Sequence, residues 1–220
     1  MRLIAPHHYD VEIAGKTERL PMLALDEQRA IALLMDIDMG LAFADRVGRA
    51  LAERFAALKP DVVVGSATLG IPVAMEVSRH LGLDRYLILQ KSPKFHLADA
   101  LFEPVRSITS DTPQRLMLDR RQVPLLQGRR VVVVDDVIAT GASIAASMRL
   151  ARRAGATVLA AGTILTEGIA WREALGEDAA LVHRLGRIPR FFIAGGAAQI
   201  DPASLEPDML PDLEPAPMPH

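Results

Sequence analysis

Residues 131–143 read Val131-Val132-Val133-Val134-Asp135-Asp136-Val137-Ile138-Ala139-Thr140-Gly141-Ala142-Ser143. The four consecutive valines predict a strand that is buried on both faces, as in a parallel sheet. The strand ends at Asp135 and Asp136, whose side chains start on opposite faces because side chains alternate along a strand. Each carboxylate must reach solvent or a ligand where the strand stops, since an unpartnered buried charge is costly. The sequence therefore predicts a polar site at this end of the strand.

A helix is predicted directly after this strand, because the small residues 140–143 open a run with apolar residues at helical spacing. The unpaired N–H groups at the start of such a helix form a site for an anion. An ordinary strand-to-helix turn, with Ser143 or Thr140 as the N-cap, would also explain the small residues. It would not explain two adjacent acids on a buried strand.

At all thirteen positions this stretch resembles the phosphoribosyl-diphosphate (PRPP) signature of the type I phosphoribosyltransferase family. The resemblance implies an α/β fold in which a parallel sheet is flanked by helices, with a small hood formed by terminal segments and a flexible hairpin lid. It also implies that Asp135 and Asp136 hold the ribose 2′- and 3′-hydroxyls. The residues that it assigns to the 5′-phosphate are Ala139, Thr140, Gly141, Ala142 and Ser143.

A second predicted strand, over 61–65, also leads through a loop of small residues to a helix, which begins near Ile71-Pro72. Such strand-loop-helix units are common in α/β proteins, but two of them in the family's order strengthen the resemblance. In the family the corresponding loop binds pyrophosphate, often through an unusual cis peptide. The residues that we therefore expect to bind pyrophosphate are Ser66, Ala67, Thr68, Gly70 and Lys91.

The pair Gln90-Lys91 follows a strand predicted over 86–90. Many adenine- and xanthine-type members of the family carry an Arg-Lys pair here that reaches the diphosphate. Lys91 can supply a point charge, and we place it with Asp135 and Asp136 among the expected catalytic residues. The neutral Gln90 cannot replace an arginine fork, so this departure bears directly on diphosphate binding.

The segment between Lys91 and Arg130 is basic, although the net charge of the whole chain is −2. A solvated charged loop is one explanation, and affinity for the phosphates of PRPP is the other. Two alternating runs around 111–113 predict a hairpin. In the family a flexible loop at this place closes over PRPP and excludes water. We assign Lys94 and His96 to that lid.

The base is expected to lie near Glu167, Gly168 and Trp171, which follow a strand predicted over 157–165. For Trp171, the only tryptophan, packing in a local core is favoured over stacking on the base. Hypoxanthine-guanine enzymes carry an acidic base in the signature loop, where this chain has Ala139. Xanthine enzymes usually have a lysine where this chain has Gly168. The resemblance therefore favours adenine slightly over xanthine.

The composition is that of one α/β domain with a modest second lobe, since 50% of the 220 residues are hydrophobic. The near-zero net charge argues against a nucleic-acid partner, and no apolar run is long enough to span a bilayer. The absence of cysteine fits a reducing cytoplasmic location. We expect an N-terminal hood with lead-in helices at 1–60, a PRPP-binding core at 61–200 and a Pro-rich acidic tail at 201–220.

The N-terminal region is predicted to hold short strands near Val11, Ile13 and 20–25, followed by two helices. The first helix would start from Asp26 as N-cap and cover 27–35, and the second would cover about 41–58. The six prolines of the tail predict an extended or disordered appendage.

The resemblance implies a purine phosphoribosyltransferase, which joins N9 of a purine to C1′ of PRPP and releases pyrophosphate. Mg²⁺ is expected to accompany the diphosphate without a dedicated protein cage, and a homodimer is expected. A xanthine/guanine enzyme remains an alternative. So do an enzyme for another acceptor, such as orotate or uracil, and a regulator that senses PRPP without turnover.

Overall fold

The computed structural model describes residues 2–92, 99–105 and 114–206. Its strands are β1 Arg2–Ile13, β2 Lys16–Ala24, β3 Arg29–Ala32, β4 Val62–Ser66, β5 Tyr86–Leu89, β6 Leu101–Val105, β7 Gln114–Leu118, β8 Arg130–Ile138, β9 Thr157–Glu167, β10 Val182–Ile188, β11 Phe191–Ala194 and β12 Ala197–Ile200. Its α-helices are α1 Leu41–Phe55, α2 Gly70–His80, α3 Ala142–Arg153 and α4 Trp171–Leu175. Short 3₁₀ turns cover Asp36–Asp38, Ala56–Leu58, Arg120–Leu125, Gly176–Leu181 and Pro202–Ser204.

The core is a five-stranded parallel sheet in the order β10-β9-β8-β4-β5, with the valine-rich strand β8 at its centre. Val132 and Val134 pack with α1 and α2 on one face, whereas Val131 and Val133 pack with α3 on the other. All four valines are fully buried, which confirms the prediction of a strand covered on both faces. Because every strand runs the same way, the loops that follow β4, β5, β8 and β9 meet at one edge.

A closed five-stranded barrel, in the order β1-β12-β11-β3-β2, forms the hood. The long β1–β2 hairpin supplies one side, and β12 closes the barrel by pairing in parallel with β1 at Ala5 and Ala197. The strands β11 and β12 fall within the range 61–200 that we expected to form the core, yet their partners are the N-terminal strands β1 and β3. The two ends of the described chain therefore build the hood together.

The helix expected over 27–35 is not formed, and the strand β3 occupies its centre. Asp26 accepts hydrogen bonds from the backbone N–H groups of Gln28 and Arg29, at 2.9 and 2.7 Å, so that it caps a turn rather than a helix. Ala30 and Ala32 alternate into the barrel core. Their burial there outweighs the weak helical preference of this segment. The second predicted helix is present as α1, and the 3₁₀ turn Ala56–Leu58 follows it.

The hairpin β6–β7 lies beside β5 and is anchored to it by two backbone hydrogen bonds of 2.9 Å between Gln90 and Met117. Leu116 and Leu118 of β7 are fully buried. The turn of the predicted hairpin, and the predicted lid residues Lys94 and His96, lie outside the described residues. In the described part of the chain no helix is long and apolar enough to cross a membrane.

The first six residues of the predicted tail are held to the rest of the protein by hydrogen bonds and two buried side chains, which corrects the expectation of an extended appendage from residue 201 onward. Asp201 accepts a hydrogen bond from the Ala203 N–H at 3.0 Å and so starts a 3₁₀ turn. The buried Ser204 hydroxyl accepts from the Arg190 N–H at 2.9 Å. Glu206 is also buried and pairs with three arginines. The prolines that suggested an appendage mostly lie beyond Glu206, outside the described residues.

Candidate active site

A direct hydrogen bond joins the two strand-loop-helix units that the sequence singled out. The Ser66 hydroxyl, at the end of β4, donates to Asp135 Oδ1 at 2.9 Å. The same oxygen also accepts from the Asp136 N–H at 3.2 Å. Asp135 is buried, whereas Asp136 is partly exposed at the end of the sheet. The predicted pyrophosphate loop and the predicted ribose-binding acids thus form one continuous site.

The two aspartates resist ionisation together. Burial raises the pKa of Asp135, and the neighbouring Asp136 carboxylate raises it further. Burial also raises the pKa of Asp136. The positive charge of Lys91 lowers the pKa of both groups, which places this lysine within electrostatic range of the pair. The site therefore favours ligands that bring hydrogen-bond donors or positive charge to the carboxylates.

The predicted pyrophosphate loop, residues 66–70, runs from β4 into α2. Its Ala67–Thr68 peptide bond is cis, as in the loops that this one was expected to resemble. The Ala67 N–H donates to the Leu89 carbonyl oxygen at 2.9 Å, which ties the loop to β5. A Cβ atom at Gly70 would lie 2.9 Å from Asp135 Oδ1, so only glycine allows α2 to start this close to the acids.

The predicted phosphate loop forms a cradle at the N-terminus of α3. A cavity of about 130 Å³ is lined by Val137, Ile138, Ala139, Thr140, Gly141, Ser143 and Ile144. The N-cap position belongs to Gly141, which has no side chain to cap the helix, and the Thr140 hydroxyl accepts from the Ala142 N–H at 3.4 Å. The buried Ser143 Oγ has no hydrogen-bond partner among the described residues. The other amides of the first helical turn and this hydroxyl fit a phosphate.

The predicted base loop begins at Glu167, the last residue of β9, the strand that pairs with β8. The Thr163 hydroxyl donates to the Asp136 carbonyl oxygen at 2.8 Å and so links the two strands. Burial raises the pKa of Glu167, and the Arg190 charge offsets part of that rise. The Gly168 N–H donates to the Ile188 carbonyl oxygen at 2.8 Å, which fixes the start of the loop.

Trp171 does not reach a ligand site, which corrects its assignment to base binding. Its side chain is only 2% exposed and packs with α3 on the face of the sheet that holds Val131 and Val133. Its indole Nε1–H donates to the Gly168 carbonyl oxygen at 3.0 Å. A ring so enclosed cannot stack on a base, and the alternative of local core packing is the correct one.

Asp36 was missed by the sequence reasoning. It lies in the 3₁₀ turn before α1 and is only 4% exposed. No donor among the described residues makes a hydrogen bond of normal geometry to either of its carboxylate oxygens. Burial, and then the charge of Asp136, raise the pKa of Asp36 to about 7. A third acid therefore lies within electrostatic range of the predicted ribose site.

A larger cavity, of about 600 Å³, lies between β1 and β10 and is lined by residues 9–12 and 184–187. None of the predicted site residues lines it. The chemistry-bearing groups lie instead around the carboxyl ends of the central strands, as parallel sheets place them.

Comparison with known proteins identifies similar proteins that are all phosphoribosyltransferases. A model of the family described as phosphoribosyl transferase domain matches residues 35–183, which is more than half of the chain. The chain is 32% identical over 123 residues to an orotate phosphoribosyltransferase of Caldanaerobacter subterraneus, with 56% of this chain and 53% of that protein covered. It is 30% identical over 123 residues to a xanthine phosphoribosyltransferase of Laribacter hongkongensis, covering 56% and 64% of the two chains.

An adenine phosphoribosyltransferase of Mycobacterium avium is 53% identical over 64 residues, which cover 27% of this chain and 33% of that protein. The matched stretch thus spans between a third and two thirds of these relatives. Among solved structures, the adenine phosphoribosyltransferase of Giardia lamblia bound to 9-deazaadenine superimposes with a TM-score of 0.66 at 20% identity. That match covers 77% of this chain and 93% of the other, and it shows that the fold is shared.

Proposed function

The chain belongs to the phosphoribosyl transferase domain family, and on that premise we propose that it transfers the phosphoribosyl group of PRPP to a nitrogen of a free base. The observation that carries the proposal is the 2.9 Å hydrogen bond from Ser66 to Asp135, which brings the loop for the diphosphate and the acids for the sugar together. The phosphate cradle at the start of α3 begins a few residues after the same acids. In this proposal the three parts of PRPP occupy adjoining sites.

In the proposed reaction the bond between C1′ and the diphosphate oxygen breaks, and its electron pair leaves with the diphosphate. The lone pair of the base nitrogen forms the new bond to C1′, and the proton of that nitrogen passes to solvent. Little covalent chemistry is asked of the protein, which must hold the sugar, balance charge and exclude water.

Each part of the site has one task in this proposal. Asp135 and Asp136 accept hydrogen bonds from the ribose 2′- and 3′-hydroxyls, in addition to those that Asp135 accepts from Ser66 and from the Asp136 N–H. The loop 139–143 holds the 5′-phosphate through free amides and the Ser143 hydroxyl. The loop 66–70 places backbone groups of Ser66, Ala67, Thr68 and Gly70 against the diphosphate. Lys91 adds a positive charge beside it.

The site also fits Mg²⁺. Two carboxyl groups lie beside the diphosphate loop, and a hard cation near them would offset the burial and mutual repulsion that raise their pKa values. We propose that the ion is held mainly by the diphosphate itself, with Asp135 and Asp136 supplying compensating charge. When bound, Mg²⁺ would neutralise charge on the departing diphosphate. A homodimer is proposed as the working form.

For the acceptor we propose a purine, with adenine slightly preferred. Glu167 lies at the end of β9, and a carboxylate there can accept a hydrogen bond from an exocyclic amine. The 6-oxo group of xanthine would require a donor, and Gly168 stands where a lysine would supply one. A site built for one polar pattern rejects the opposite pattern because a buried group is left unpaired. Xanthine remains the second candidate, since backbone N–H groups can also serve an oxo group.

Pyrophosphate release tests the proposal. The protein would be incubated with Mg²⁺, PRPP and, in separate reactions, adenine, guanine, hypoxanthine, xanthine, orotate and uracil. We expect release with purines, fastest with adenine. Fastest release with xanthine would overturn the adenine assignment, and release with orotate alone would overturn the purine assignment. PRPP binding without pyrophosphate release from any of these six bases would favour a protein that senses PRPP, an alternative kept open by the neutral Gln90 beside Lys91.

A further inference from the structure

A cluster of Asp45, Glu76 and His80 lies between α1 and α2, apart from the loops proposed to bind PRPP. Glu76 and His80 are one turn apart on α2, so both side chains project from the same side of that helix. Asp45 faces them from α1. The two helices come unusually close here, because a Cβ atom at Gly48 would lie 2.3 Å from Glu76 Cβ. Side chains from both helices therefore converge on a narrow seam.

The distances within this cluster suit a small cation. His80 Nε2 lies 3.1 Å from Asp45 Oδ1. One ligand atom from each of the three residues lies within 4.8 Å of the other two. Around a tetrahedral Zn²⁺ with bonds near 2.0 Å, neighbouring ligand atoms are roughly 3.3 Å apart. Small side-chain rotations would thus bring all three atoms to a shared ion.

Glu76 gives a second and independent indication. Its side chain is only 4% exposed, and Oε1 pairs with Arg79 at 3.2 Å. The other oxygen, Oε2, is buried and has no hydrogen-bond partner among the described residues. A buried carboxylate oxygen without a donor is costly unless it meets a ligand. A cation held between the helices would satisfy it.

We propose that Asp45, Glu76 and His80 bind one divalent transition-metal ion of the Zn²⁺ type. Two carboxylates and one imidazole are a donor set that Zn²⁺ accepts, and the imidazole nitrogen makes Mg²⁺ and Ca²⁺ poor competitors. A fourth ligand position would remain for water. The bound ion links α1 to α2, whose first residue, Gly70, ends the pyrophosphate loop, so that it stabilises the helix carrying that loop.

The neighbouring arginines do not block the cluster. Arg49 pairs with Asp45 Oδ2 at 3.1 Å, which leaves Oδ1 toward His80, and Arg79 pairs with Glu76 Oε1. Both arginine side chains are mostly exposed, at 59% and 64%, so that water screens their charges and either can move aside. Without a metal, the same groups would serve only as ion pairs between the helices, and this is the alternative to be tested.

The test is a calorimetric titration of the chelator-treated protein with Zn²⁺. We expect one site with micromolar or tighter affinity, and at least a tenfold loss of affinity in both His80→Ala and Glu76→Gln. The matched control is His7→Ala with His8→Ala, which removes two histidines from the outer part of β1 and should leave the tight site unchanged. Circular dichroism shows whether each variant is folded.

Titration with Co²⁺ gives a spectroscopic signal from the bound ion itself, which does not depend on the stability of the protein. A tetrahedral site with mixed nitrogen and oxygen ligands gives visible absorption bands, and these should disappear in His80→Ala and persist in the His7 and His8 control. Absence of a tight Zn²⁺ site in the unaltered protein, or its survival in His80→Ala, would overturn the proposal. Loss of the site in the control would do the same, because it would place the metal at the N-terminal histidines.

Discussion

Ser66 donates a 2.9 Å hydrogen bond to Asp135 across the interface between β4 and β8. The bond fixes the carboxylate that is proposed to hold the ribose, and it links that carboxylate to the loop proposed to hold the diphosphate. Its partners are distant in the sequence but adjacent at the edge of the sheet. Binding of the sugar and of the leaving group should therefore be coupled through this pair.

Ser66→Ala should weaken PRPP binding by roughly 10- to 100-fold, which corresponds to the loss of one hydrogen bond to a charged group. Calorimetric titration with PRPP and Mg²⁺ measures the effect. Ser78→Ala is the matched control, since Ser78 is also buried, lies on α2 and has a hydroxyl without a partner among the described residues. Equal losses in the two variants would mean that the effect comes from packing.

Asp135→Asn combined with Asp136→Asn should abolish detectable PRPP binding while the protein remains folded. Both pKa values are raised in the folded state, so the pair makes the unliganded fold less stable as the pH rises above the unfolded values near 4. The double variant should therefore melt at a higher temperature than the unaltered protein at pH 8, with a smaller difference at pH 5. Retention of PRPP affinity would refute the ribose assignment. Asp10→Asn, on the exposed hood, serves as control.

Asp36→Asn should stabilise the unliganded protein at pH 8 by about 2 kcal/mol, since an asparagine does not have to ionise in a buried place. The pKa of Asp36 is raised to about 7, so the carboxyl favours the folded state below pH 4 and this advantage is lost as the pH rises toward 7. The difference between the variant and the unaltered protein should therefore shrink at pH 5. Urea unfolding at both pH values measures it. The exposed Asp38, two residues later, supplies the control Asp38→Asn, for which no comparable change is expected.

Glu206→Gln should lower the free energy of unfolding by about 2 kcal/mol at neutral pH, because Arg172, Arg184 and Arg187 would lose their shared carboxylate. The hydrogen bond from Arg184 and the arginine charges lower the pKa of Glu206. Its contribution is therefore present above the unfolded pKa and is lost as the pH falls through the folded value. Thermal unfolding between pH 3 and pH 7 follows this loss. The exposed Glu177→Gln should show neither effect.

The parts of the fold that could be predicted are those in which local and global signals agree. The valines of β8 and the two small-residue loops carry strong local patterns, and burial on both faces follows from the chain itself. In the segment around Ala30 and Ala32 the local sequence favours a helix, whereas pairing with β2 and β11 in the barrel makes it a strand. Propensity alone could not reveal that partner.

The residues that sequence reasoning misjudged are those whose environment is made by distant parts of the chain. Asp36 is followed in the sequence by the exposed Ile37 and Asp38, so nothing local indicates that it is buried within electrostatic range of Asp136. Glu206 looked like one of several acids in a solvated tail, but arginines from α4 and β10 surround it. Trp171 lies on a helix of five residues, too short for its periodicity to show which side faces the core.

The hood closes through the pairing of Ala5 in β1 with Ala197 in β12. Almost the whole described chain separates these two residues in the sequence. Contacts between such distant residues form late in folding, because the intervening chain loses much conformational freedom before they are made. While the protein is being synthesised, β1 to β3 emerge first and keep an unpaired strand edge until β11 and β12 follow. Newly made chains should therefore be most vulnerable to edge-to-edge association between the release of the β1–β2 hairpin and the arrival of β11 and β12.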